Sequence, residues 1–134
     1  MKSHLPLFLG LILLSSASLR AHHSFTAEFD ANKPITLTGC VTKVEWTNPH
    51  AFFYIDVTDP KTAKVTNWAL EMGSPNGLMR QGWTRHDLKI GDVVTIEGSR
   101  AKDGSNLANA RAVTLANGRR LFAASSQGNG PTGP

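Results

Sequence analysis

From residue 35 to residue 122 the chain alternates apolar and polar positions in short runs broken by turn formers, the period-two signature of half-buried strands. Ile35 to Trp46 is rich in β-branched residues, and its alternation switches phase after Gly39, which predicts a long first strand bent by a glycine or a bulge. Thr47-Asn-Pro-His50 is a turn signal. Ala51 to Thr58 then sets Phe53, Ile55 and Val57 against Phe52, Tyr54 and Asp56, a second strand with one face for the core. Asp59 to Lys64 reads as a hairpin loop into a third strand, Val65 to Glu71, where Trp68 and Leu70 share a face.

The pattern changes after Glu71. Ser74 suits an N-cap, Pro75 the first helical position, and Gly82 a left-handed close, so one short helix is expected between them. Val93 to Ser99 is a fourth strand, Lys102-Asp-Gly-Ser105 a tight turn, and Asn109 to Leu115 a fifth strand. Asn117-Gly118 is a further hairpin signal before Arg119 to Phe122. A mainly β protein with five strands and a helix between the third and fourth has the element order of an OB-like Greek-key barrel, with a small β-sandwich as the competing architecture. The domain is expected to span residues 35–122.

The two ends read differently. Lys2, an apolar run from Leu5 to Leu14, and the small residues Ser15 to Ser18 have the form of a secretory signal peptide over residues 1–21. The run is about half the roughly 20 residues that a membrane-spanning helix needs, so export rather than a membrane span is expected. Cleavage after Ala21 would make His22 the first residue, and cleavage after Ala17 competes with it. Residues 22–34 show little periodicity and are expected to form an arm, with Phe25 and Phe29 tucked onto the domain. The tail, residues 123–134, has too little apolar area to offset ordering entropy and is expected to be disordered.

Composition adds a constraint on partners. The 134 residues carry 14 basic and 10 acidic groups, a formal charge of +4. Removing residues 1–21 takes away Lys2 and Arg20 and no acid, so the charge falls to +2. With no basic run longer than Arg119-Arg120, nucleic acid is not an expected partner. Cys40 is the single cysteine, which leaves no internal disulfide in an oxidising compartment such as the periplasm.

Several short motifs run through the chain: His22-His-Ser-Phe25, Glu28-Phe-Asp30, Lys33-Pro34, Val44-Glu-Trp-Thr-Asn-Pro-His50, Gly73-Ser-Pro-Asn76, Gly82-Trp-Thr-Arg85, Gly91-Asp92 and Ala101-Lys-Asp-Gly-Ser105. In these the chain resembles a family of small exported bacterial proteins of unknown function. The resemblance implies a signal peptide and a compact β domain, and it brings no activity to any residue. At Cys40 it leads one to expect a threonine-like residue, so the thiol has no family-wide role.

The residues themselves suggest one concrete chemistry. Beyond His4, in the export signal, the histidines are His22, His23, His50 and His86. A processed chain beginning at His22 carries an amine and an imidazole that close a chelate ring on one cation, and His23 or His50 adds a third nitrogen. All-nitrogen donors suit copper first, with nickel and zinc behind. Thirteen residues, 22 to 34, extend on the order of 40 Å, enough to fold back to the His50 loop. Glu28 or Asp30 would orient an imidazole from outside the ligand set, and His86 reads as an exposed loop residue.

Two other classes compete. Phe52 and Tyr54 on the open face, near Lys43 and the Lys102 loop, would make a metal-free recognition surface for a small envelope ligand or protein, unless the arm covers them. An enzyme has few parts to draw on: there is no Gly-x-Ser-x-Gly elbow, no His-Glu-x-x-His pair and no phosphate loop, and Glu45 and Glu71 are separate strand-end carboxylates.

Overall fold

A computed structural model describes residues 25–124. The expected signal peptide, His22, His23 and the tail from residue 125 lie outside the described residues. The protein is mainly β. After a helical turn at residues 25–28 come β1 (Phe29–Glu45), β2 (Phe52–Thr58), β3 (Val65–Glu71), α1 (Pro75–Arg80), β4 (Val93–Ala101), β5 (Leu107–Thr114) and β6 (Arg120–Phe122).

Strand β1 is long because it serves two partners. Its first half pairs with β4, from Pro34 opposite Ser99 to Cys40 opposite Val93, and its second half pairs with β2, from Cys40 opposite Asp56 to Glu45 opposite Phe52. Leu37, Gly39 and Val41 face inward, after which Thr42 is an extra residue in the ladder. The change of phase therefore falls at a bulge on Thr42, three residues later than the sequence suggests. Gly39 has a different role. A Cβ there would sit 2.5 Å from the Asp56 carbonyl oxygen, so glycine lets β2 approach.

Two expectations need correction. The strand begins at Phe29, not Ile35, so residues 29–34 of the expected arm belong to the sheet. Phe29 pairs with Ala101 and is buried, and the irregular register before Pro34 hides the segment's periodicity. There are also six strands among the described residues, not five. The extra one is β6, turned back on β5 by Asn117-Gly118, with Gly118 at φ +86. Ala123, expected in the tail, is buried and bonds Arg111 and Gly73 through its backbone.

The sheet order is β3-β2-β1-β4-β5-β6, with an additional parallel pairing of β3 with β5 from Ala69 opposite Leu107 to Glu71 opposite Asn109. Following neighbours from β1 through β2, β3, β5 and β4 leads back to β1. The inward residues of these strands, among them Val41, Phe53, Ile55, Trp68, Leu70 and Ile96, form the core with Leu78 of α1 and Trp83. Helix α1 starts as expected: the Ser74 hydroxyl accepts from the Gly77 amide at 3.2 Å, and Pro75 follows. Among the described residues no helix is long and apolar enough to cross a membrane.

Candidate functional site

His50 ends the turn between β1 and β2, just after the cis Asn48–Pro49 peptide. Backbone hydrogen bonds dock this turn on the chain leaving β3: the Ala51 amide donates to the Gly73 carbonyl at 3.0 Å, and the Met72 amide donates to the Ala51 carbonyl at 2.9 Å. That docking brings the imidazole to β3's last residue. His50 Nδ1 lies 3.1 Å from the Met72 carbonyl oxygen and 3.8 Å from Oε1 of Glu71.

Glu71 stands opposite Phe52 of β2 and Asn109 of β5, and its side chain is only 13% exposed, against 37% for His50. Burial pushes its carboxyl above the ordinary value; His50 acts to lower it, and the Glu28 carboxylate acts to raise it further. Glu28 closes the helical turn at residues 25–28, so the first described part of the arm lies within electrostatic reach of the His50–Glu71 pair.

Lys102 holds that turn. Its ammonium donates to the Thr26 carbonyl, and its amide donates to the Glu28 carbonyl at 2.9 Å, satisfying carbonyls at the turn's C-terminal end. Phe25 stacks on Phe29 with centroids 5.6 Å apart, which anchors the turn on the domain as expected. Asp30 serves a local bend, its Oδ1 accepting from the Asn32 amide at 2.9 Å. Among the described residues no three His, Cys, Asp or Glu side chains are grouped closely enough to hold a metal ion.

Phe52 and Tyr54 are half-buried on the outer face of β2, and Phe53 and Ile55 are buried on the inner one. Tyr54 is already engaged. Its hydroxyl donates to Glu45 at 3.1 Å, and Lys43, paired with Glu45 at 2.6 Å, holds its ammonium 5.2 Å above the ring. Lys102 serves the arm, as described above. His86 is exposed, as expected, and Cys40 is half-buried where β1 passes from β4 to β2.

The sequence identified His50 and left Glu71 outside the site. The missing information is the register that sets Glu71 beside Phe52, together with the docking of the 46–51 turn on Met72 and Gly73. The assembled end of the molecule presents one imidazole and one largely buried carboxylate, on which a second carboxylate, from the arm, acts.

No curated protein matches the chain. The sequence model of a family of unknown function, DUF6152, matches residues 11–110, a span that includes the described part of the arm, β1 to β4 and the first half of β5, and the chain belongs to that family.

Proposed function

We propose that this is a small exported envelope protein whose circuit of strand pairings forms an OB-like barrel, and that it binds a copper-like divalent cation where the N-terminal arm meets the β1–β2 turn. In this reading the signal peptide is removed after Ala21. The amine and imidazole of His22 chelate the ion, and His50, with His23 available as a further nitrogen, completes the donor set. The return of the pairing order to β1, with α1 between β3 and β4, supports the barrel.

What carries the reading is the place of His50, whose turn is docked on the end of β3 beside Glu71, the carboxylate on which Glu28 of the arm also acts. Phe25 opens the helical turn that Glu28 closes and stands two residues after His23 in the sequence, and in this reading the residues before it carry the N-terminal histidines to the His50 loop. The alternative, a metal-free recognition face on Phe52 and Tyr54, has less support because Lys43 and Glu45 already occupy Tyr54.

The test is the intact mass of the exported protein, which identifies its first residue, followed by Cu(II) and Zn(II) titration of wild type, His22→Ala and His50→Ala. One tight equivalent in wild type and at least tenfold weaker binding in each variant is the expected result. Equal, weak binding by all three proteins would end the metal reading.

A further inference from the structure

The two ring nitrogens of His50 can be told apart by their surroundings. A carbonyl oxygen only accepts, so the 3.1 Å contact between Nδ1 and the Met72 carbonyl is a hydrogen bond only when Nδ1 carries the hydrogen. In the neutral ring that leaves a lone pair on Nε2. Oε1 of Glu71, at 3.8 Å, is too far for a hydrogen bond with the same nitrogen, but its charge favours a proton there.

Both groups come from consecutive residues at the end of β3, and neither is free to drift. Met72 and Gly73 are hydrogen-bonded to Ala51, the residue next to His50, and Glu71 is fixed between β2 and β5. Met72 is fully buried. The back of the imidazole is thus set by the sheet, and the side chain as a whole is 37% exposed.

We propose that the Met72 carbonyl and Glu71 hold His50 in its Nδ1–H form, so that Nε2 is the atom presented to a cation, with Glu71 as the positioning residue behind the ring. Only the cation step rests on the metal reading above, because the ring's tautomer belongs to the metal-free protein. The arrangement is that of a backbone carbonyl accepting from the rear nitrogen of a ligating histidine, with a carboxylate beside it: it fixes the ring and strengthens the nitrogen on the far side, and loss of such support costs roughly 10–100-fold in metal affinity. Of the carboxylates that the sequence suggests for this role, Glu28 acts on Glu71, and Asp30 accepts from the Asn32 amide.

The experiment has two arms. Long-range proton–nitrogen NMR of the metal-free protein at mildly alkaline pH reads the His50 tautomer directly. The expected spectrum has a protonated Nδ1 and a bare Nε2, with the Nε2–H form increasing in Glu71→Gln and Glu71→Ala. A dominant Nε2–H form in wild type, or no change in either variant, would overturn the positioning role. Cu(II) titration of the same proteins should then show roughly 10–100-fold weaker binding in Glu71→Gln, with the backbone spectrum preserved. Wild-type affinity in a variant whose tautomer has shifted would overturn the assignment of Nε2 as the ligand. If His50→Ala binds the ion as well as wild type does, the metal reading fails while the tautomer result stands, so the two failures are distinguishable.

Discussion

Burial opposes ionisation of Glu71. Its carboxyl is held above the ordinary value of 4.5, so in the folded protein it keeps its proton more tightly than in the unfolded chain. Stability from this group is therefore greatest below about 4.5 and declines as the pH rises through the window between the unfolded and folded values. Urea unfolding of the metal-free protein across that window should show the decline, and Glu71→Gln should flatten it; an unchanged pH profile in the variant would show that burial of Glu71 has no energetic consequence. Lys102 supports the same corner from the other side. In Lys102→Met, amide exchange over residues 25–29 should quicken while that of β2 and β3 stays as it was; unchanged exchange would mean that Phe25 and Phe29 hold the turn alone. The place of His50 is readable in the sequence because the Thr47-Asn-Pro-His50 turn signal sets it in the loop between the first two strands. Its partners are not, because they lie 21 and 22 residues further along, and only the pairing of β2 with β3 brings them back.

The elements divide by how local their causes are. Strand β3 and helix α1 coincide with the sequence reading because alternation defines the one, and Ser74-Pro75 opens and Gly82 closes the other. Both Ser74→Ala and Ser74→Gly remove the hydroxyl that accepts from the Gly77 amide, yet alanine should cost about 1 kcal/mol and glycine only a few tenths, since glycine, with no Cβ, leaves that amide more open to water; thermal or urea unfolding of the pair checks this. Strand β1 is harder to delimit. Residues 29–34 pair on one side only and across an irregular register, so no period-two signal marks them. Close packing between strands is invisible for a similar reason. A Cβ on Gly98 would overlap the Asn109 carbonyl across the β4–β5 ladder, so Gly98→Ala should destabilise the protein by about 1–3 kcal/mol or more, measured by urea unfolding. Gly91→Ala meets open space and suffers only from its positive φ, so it should cost less than Gly98→Ala.

Across the whole molecule, the pairing of β3 with β5 completes the circuit of strands and carries Glu71 on the strand it joins. The same end receives the β1–β2 turn, through Ala51, and the arm, through Phe29 and Lys102. The first five strands and the helix between β3 and β4 are legible from local pattern. The convergence of arm, turn and β3 is not, because it depends on contacts between residues as distant as Thr26 and Lys102. At this scale the proposed function requires His50 and the processed N-terminus to hold one ion between them. Pulsed EPR of the exported protein carrying one equivalent of Cu(II), alongside His50→Ala, tests it most directly. The wild-type spectrum should contain modulation from the remote Nδ1 nitrogen of the His50 ring, lost in His50→Ala. Identical spectra for the two proteins would contradict it.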